Sequence, residues 1–241
     1  MRPKAEAYAA TRAKRASYGD TTHARAFARD NWLGPTGRAV HAAECAVLER
    51  LIPRSSGDGL ALDVGCGNGR MLRELRRYGY RPVGLDLSAA MMALRPVDES
   101  LIAVEESVHL PLPDGSALGV LAHRYIYHLP RPHEVLAEFA RVLLPAGWLC
   151  FDYVRWSPAS VLPRIGGVRA RAVALHRSHG VVAALGAAGF TIHSEGVDGA
   201  VNPTWVRGLA PGVARALLHP DRFQRLVLRV KTYVLAVRTP G

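Results

Sequence analysis

The chain has 241 residues, 49% hydrophobic and 21% charged, a composition that suits one folded domain with a full core plus an elaboration. No apolar run reaches the length of a membrane span, and the Ala- and Arg-rich stretch Met1 to Asp20 has no apolar centre like that of a secretion signal. The formal net charge of +11 rests on arginine, since lysine occurs only at Lys4, Lys14 and Lys231; such usage reads first as a GC-rich, bacterial genome, and second as an anionic substrate, nucleic acid or membrane surface.

Residues 1–30 read as a helical N-terminal extension. Gly34-Pro35-Thr36-Gly37 breaks it, and Arg38 to Ile52 is expected as the next helix, ended by Pro53. This gives a helical extension or lid at 1–53 and a core domain at 54–241. The core alternates strand 60–64, helix 68–78, strand 82–86, helix 89–94, strands 101–104 and 118–122, helix 133–143 and strand 147–154. That alternation predicts an α/β fold, a mostly parallel sheet with helices on both faces. Ser178 is expected to cap a further helix, followed by a strand from Phe190 to about Gly196 and a last strand from Leu226 to Arg238. Two stretches without a regular pattern, 155–177 and 200–222, are expected to elaborate the substrate side. Cys45, Cys66 and Cys150 are scattered and odd in number, which points to a reducing, cytoplasmic compartment and to neither a disulfide framework nor a zinc site.

The chemistry concentrates at Leu60-Ala61-Leu62-Asp63-Val64-Gly65-Cys66-Gly67-Asn68-Gly69-Arg70. An apolar strand ends in an acid and runs into glycines on alternate positions, which let the backbone turn sharply and let a ligand approach the N–H groups of the opening helix. The spacing differs from the Gly-x-Gly-x-x-Gly of dinucleotide-binding loops. A second strand, Val83-Gly84-Leu85-Asp86, also ends in an acid, placed to accept hydrogen bonds from a ribose diol.

With Asp63 two residues before the first glycine, the loop resembles the first motif of class I S-adenosylmethionine (SAM) methyltransferases. Further segments resemble that family in order: Glu105 to Ser116, His128-Leu129-Pro130, Ala140 to Gly147, and Gly186 to Phe190. The subgroup is similar to the small type 11 methyltransferases typified by ubiquinone and menaquinone biosynthesis. The resemblance implies a Rossmann-like seven-stranded sheet, SAM as cofactor, and methylation of an oxygen or nitrogen of a small-molecule acceptor, here in bacterial specialised metabolism. It also implies roles for single residues. Asp63, Gly65, Cys66 and Gly67 meet the methionine portion of SAM, and Asp86 holds the ribose. Leu87 and Met91 flank the adenine, Glu106 and Ser107 bind its edge, and Ala122 presents a backbone carbonyl to the amino group. Arg38 is a further candidate for the SAM carboxylate. Ala117-Leu118 departs from the family's Phe-Asp, and Ala146 replaces the first glycine of its Pro-Gly-Gly turn.

The segment after the fourth strand lies where the family meets its substrate. His123 and His128 are candidates for a general base, since neutral imidazole titrates in the right range. Arg124 is placed to contact an anionic substrate or the cofactor carboxylate, while Tyr125, Tyr127, Tyr153 and Trp156 are expected to line an aromatic pocket. No metal-ligating motif is present. Net charge motivates an RNA methyltransferase as an alternative, although no lysine-rich tract interleaved with aromatics supports nucleic acid; Ala117-Leu118 motivates a catalytically degenerate SAM-binding subunit.

Overall fold

Seven strands, β1 (Leu60–Val64), β2 (Arg81–Asp86), β3 (Leu101–Ala103), β4 (Ala117–Ala122), β5 (Leu143–Val154), β6 (Phe190–Gly196) and β7 (Lys231–Arg238), form one sheet in the order β3-β2-β1-β4-β5-β7-β6. Strands β1 to β5 are parallel, and β7 runs antiparallel between β5 and β6. The computed structural model describes residues 19–29, 32, 34–94, 100–103, 109–129, 132–156, 174–196 and 231–240. The helices among them are α1 (Thr21–Ala28), α2 (Pro35–Leu51), α3 (Leu72–Arg77), α4 (Ala89–Met92), α5 (His133–Val142) and α6 (Ser178–Ala187).

Strand order reverses between β1, which pairs with β2 on one side, and β4 on the other. In open α/β sheets the crevice at that point, beyond the carboxyl ends of the strands, is where ligands bind. The glycine loop leaves β1 there.

Helix starts differ from expectation for local reasons. The Gly34-Pro35-Thr36-Gly37 break is the start of α2 itself: Gly34 caps it and Pro35 occupies the first turn, where a missing N–H leaves nothing unsatisfied. The loop after β1 stays in turns as far as Met71, because Gly65, Gly67 and Gly69 all take positive φ, so α3 begins at Leu72 and not at 68. Arg177 caps α6, and the Ser178 hydroxyl receives a hydrogen bond from Tyr153 at 3.1 Å. Ala117-Leu118 opens β4, with Ala117 fully buried, and the pairing with β5 shifts register between Ala117 and Gly119. The 226–230 part of the expected last strand and the whole of 200–222 lie outside the described residues.

Side-chain alternation divides the sheet into two apolar layers. Leu62, Val120, Leu149, Phe151 and Val234 point toward α5 and α6 and pack with Leu136, Phe139 and Leu185. Ala61, Leu121, Trp148, Cys150 and Leu235 point the other way, toward Leu48 of α2 and Leu75 of α3. Trp148 in this second layer donates its indole N–H to Tyr80 Oη at 2.9 Å, and lies so close over β4 that a Cβ at Gly119 would stand 2.0 Å from its ring. Below β3, Glu138 and Arg141 of α5 hold the Leu110–Asp114 segment: Glu138 accepts the Leu110 N–H at 2.6 Å, and Arg141 donates to the Leu112 carbonyl at 2.9 Å.

Candidate active site

At the carboxyl ends of the strands the α2-facing layer turns from apolar to charged. Two residues beyond Ala61 comes Asp63, beyond Leu121 comes His123, and beyond Cys150 comes Asp152; on the antiparallel β7, Lys231 lies two residues before Tyr233. All four charged or titratable groups are buried.

The glycine loop is shaped by its neighbours. Gly65 has φ +78°, and the Tyr125 ring lies over it so closely that a Cβ would stand 2.6 Å away. Gly67 has φ +56°; a Cβ there would meet only Met91 Cε, at 3.5 Å. Asp86 braces the loop: Oδ2 accepts the Gly67 N–H at 2.7 Å and Oδ1 accepts the Ser88 N–H at 2.8 Å. Ser88 in turn caps α4, accepting the Met91 N–H at 3.0 Å. Burial raises the Asp86 carboxyl above its ordinary value, against the pull of those N–H donors. Burial also pushes Asp63 up to about 7, with Arg70 opposing, and Asp63 Oδ2 has no hydrogen-bond partner among the described residues. A buried carboxylate oxygen without a partner is an acceptor awaiting a donor. The fit to SAM is therefore good on this structure's own features: an orphaned acceptor at β1, an acid with spare lone pairs at β2, and an opening at Gly67 between them.

The other cofactor candidates sort by where their side chains go. Met91 is buried between the loop and Ala24 of α1. Cys66 Sγ points to β2, where it would stand 2.8 Å from a Cβ at Gly84, so only its backbone can face a ligand. Leu87 packs against the α5-facing core, and the Ala122 side chain is fully buried in it. Arg38 lies exposed on the first turn of α2. Glu106 and Ser107 lie outside the described residues.

Beyond β4 the chain enters a cluster of charges. Arg70, directly after the glycine loop, donates to Glu44 Oε2 at 2.9 Å, His41 Nδ1 at 2.8 Å and His123 Nδ1 at 3.1 Å. Lys231 Nζ stands 3.2 Å from Glu44 Oε1 and 3.1 Å from Asp152 Oδ2. The Arg124 backbone N–H donates to Asp152 Oδ1, and its Nε donates to Tyr127 Oη at 3.1 Å. Burial opposes ionisation of Glu44, but Lys231, Arg70 and Arg124 hold its carboxyl well below the usual range. Trp32 covers the cluster, with Arg70 Cζ 4.0 Å and Arg124 Cζ 4.9 Å from its ring centroid.

This geometry sets the surroundings of two expected site residues. Arginine has no acceptor, so the Arg70 contact takes the lone pair of His123 Nδ1, while Nε2 lies among Lys231 Nζ at 3.4 Å, Tyr233 Oη at 3.5 Å and Glu44 Oε1 at 3.6 Å. Burial and the surrounding cations hold the imidazole well below its ordinary value. His123 is thus held neutral, with Nδ1 engaged by Arg70 and Nε2 beside the Lys231 ammonium. Tyr153 is 1% exposed and packs in the α5-facing core, its hydroxyl 3.1 Å from Ser178 Oγ and 3.3 Å from Glu195 Oε1; it lines no pocket. His128, in the 3-10 turn Ile126–His128, stacks edge-on against Tyr127 at 4.5 Å. Trp156 is 48% exposed, with Arg177 Cζ 5.2 Å from its ring.

Glu44, Arg70, Trp32, Asp152 and Lys231 are the members of this site that sequence reasoning missed. The signal was present for Asp152, an acid inside an otherwise apolar strand, since such residues are buried only when paired. His41, Cys45 and Glu74 also converge, with candidate ligand atoms within 4.8 Å of one another. Arg70 occupies His41 Nδ1, and burial with Glu74 pushes the Cys45 thiol up to about 12, so the group reads as packing between α2 and α3.

Sheet order, glycine loop and paired strand-end acids define the class: a class I methyltransferase domain. Residues 62–151 match the type 11 family model described as methyltransferase domain, and that stretch is a methyltransferase domain of this kind. Over 114 residues it is 32% identical to the ubiquinone biosynthesis O-methyltransferase of Albidiferax ferrireducens, which covers 44% of this chain and 45% of that one. The chain spans about a third to a half of the length of the curated relatives it matches. A Haloferax volcanii methyltransferase, solved in complex with the Trm112 methyltransferase activator, shares the fold with TM-score 0.63 at 18% identity, over 94% of this chain and 97% of that one. The geranyl diphosphate C-methyltransferase of Streptomyces coelicolor A3(2), solved with Mg2+, geranyl diphosphate and S-adenosyl-L-homocysteine, does so with TM-score 0.62 at 18% identity, over 82% and 78%.

Proposed function

We propose that this protein transfers a methyl group from SAM to an oxygen or nitrogen of an anionic or aromatic small molecule, in bacterial specialised metabolism and in the cytoplasm. The observation that carries the reading is the orphaned Asp63 oxygen beside the Asp86-braced glycine loop, at the switch point of a type 11 domain. The ubiquinone biosynthesis O-methyltransferases among its relatives support a small-molecule acceptor, and three free cysteines support a reducing compartment.

Bound SAM supplies an activated methyl on a sulfonium. In this reading Asp63 and the loop at Gly65 to Gly67 hold its methionine portion, Asp86 its ribose, and Met91 one face of its adenine. The protein's remaining task is to align the acceptor and, for a hydroxyl or ammonium, to remove a proton. His128 takes that proton; His123 is a positioning residue that ties Arg70 to Glu44. Residues 1–53 serve as a lid, supported by the packing of Ala24 on Ala90 and Met91.

Calorimetric titration with S-adenosylhomocysteine, wild type beside Asp86→Ala, tests the reading. Micromolar binding lost in the variant is expected; a wild type that binds none overturns it. The net charge of +11 favours an RNA acceptor as a second reading, which requires RNA binding that weakens steeply with salt.

A further inference from the structure

Arg70, Arg124 and Lys231 face two carboxylates, Glu44 and Asp152, across 2.9 to 3.6 Å, and His123 enters the group uncharged. Positive charge in surplus is unfavourable in a buried setting unless a partner arrives. Two of the cations are fully engaged: Arg70 by Glu44, His41 and His123, and Lys231 by Glu44 and Asp152. Arg124 is not. Its Nη1 is buried without a hydrogen-bond acceptor among the described residues, the nearest carboxylate oxygen being Glu44 Oε1 at 3.6 Å.

The rest of Arg124 is fixed. Asp152 holds its backbone N–H, Tyr127 holds Nε, and its φ of +60° places it in the left-handed region that side chains avoid. Strain of this kind persists only where surrounding contacts over-determine it, and it concentrates at binding sites. The side chain keeps 19% of its surface exposed, the unpaired Nη1 itself lies buried, and the Trp32 ring centroid stands 4.9 Å from Cζ. A guanidinium fixed at Nε whose buried Nη1 lacks an acceptor is poised to take an oxyanion.

We propose that Arg124 is the receptor for a carboxylate or phosphate on the acceptor, so that the acceptor is a small organic acid or phosphate ester seated by its anion against Trp32. This rests on the methyl-transfer reading and names its substrate class.

The test titrates benzoate, phenyl phosphate and neutral benzamide into the protein, free and saturated with S-adenosylhomocysteine, by calorimetry and tryptophan fluorescence. Saturable binding of one anion to the saturated complex is expected, with benzamide at least tenfold weaker; the tighter anion identifies the source. Arg124→Gly suits a φ of +60° and so preserves the fold. It is expected to leave S-adenosylhomocysteine affinity within about threefold while weakening the anion more than tenfold, with Arg124→Lys between. Equal binding of benzamide, no anion binding to either form, or an anion affinity untouched in Arg124→Gly overturns the proposal. A tenfold loss of S-adenosylhomocysteine affinity in that variant also overturns it, by assigning the guanidinium to the cofactor's own carboxylate. Failure of the wild type to bind S-adenosylhomocysteine sinks the methyl-transfer reading alone, if an Arg124-dependent anion site persists on the free protein.

Discussion

Asp152 of β5 accepts the backbone N–H of Arg124 from the turn after the neighbouring β4, while its other oxygen faces Lys231 at 3.1 Å. One fully buried carboxylate thus fixes the turn after β4 and neutralises the first residue of β7. Asp152→Ala leaves an ammonium and an N–H short of a partner in a buried site, so a loss of about 3–5 kcal/mol in urea unfolding is expected. Asp152→Asn keeps an acceptor for the N–H and is expected to lose less. A loss under about 1 kcal/mol for the alanine variant would show that water reaches the cluster and screens it.

Arg124→Gly runs the other way. The change relieves the left-handed strain at φ +60° and brings the cluster to equal numbers of cations and carboxylates. Stability is expected to rise by about 1 kcal/mol, as for residues held in sparsely populated conformations at functional sites. A clear fall in the urea midpoint would mean that the Tyr127 and Glu44 contacts outweigh the strain.

Asp63 gives a pH signature. Its folded value of about 7 lies above the ordinary 3.8, because burial favours the protonated form. Between those values the native state holds a proton that the unfolded state has lost, so this group's contribution falls as pH rises from about 4 to 7. At pH 8 the accumulated penalty is on the order of 4 kcal/mol. Asp86, raised by the same cause, adds in the same direction, while the lowered imidazoles of His41, His123 and His176 add in the opposite one. The clean quantity is the difference between Asp63→Asn and wild type: the variant is expected to gain stability progressively from pH 4 to 8 while losing S-adenosylhomocysteine binding. A pH-independent difference would remove the buried, proton-holding Asp63 from the account.

Ala146 tests the departure from the Pro-Gly-Gly turn. It has φ +61°, where alanine carries a Cβ penalty that glycine does not. Ala146→Gly is expected to raise the melting temperature, by about 1 kcal/mol in free energy and without effect on ligand binding. No gain would mean that the extra freedom of glycine in the unfolded chain cancels the relief.

The parts of this molecule legible in the sequence are those where one local rule decides. Strand β1, the positive-φ glycines and the acid at Asp86 follow from period, turn chemistry and strand-end position. Helix α3 starts later than its pattern predicts because glycines that open a ligand loop also delay helix nucleation. The charged cluster is not legible, because its members come from α2, the glycine loop, β5 and β7, far apart in the chain; the packing of α2 against the sheet brings Glu44 within reach of Lys231. His123 was assigned by its place after β4, which pattern reveals; its lone pair was lost to Arg70, which pattern does not.

The two histidines should therefore separate by experiment. His123 sits between Arg70 and Glu44, and removing it leaves the Arg70 donor short of one acceptor within a buried network. His123→Ala is expected to cost about 1–3 kcal/mol in urea unfolding, the cost of an unsatisfied buried polar group. His128 is half-buried against Tyr127 in a 3-10 turn, so His128→Ala is expected to cost less than His123→Ala, by about 1 kcal/mol or under. Its effect should fall on turnover: transfer of labelled methyl to an acceptor fraction is expected to drop by about a hundredfold or more, the span of general base catalysis. The reverse pattern, a stable His123→Ala with lost turnover beside an active His128→Ala, would return the base to His123 and require that Arg70 swing away when the acceptor binds.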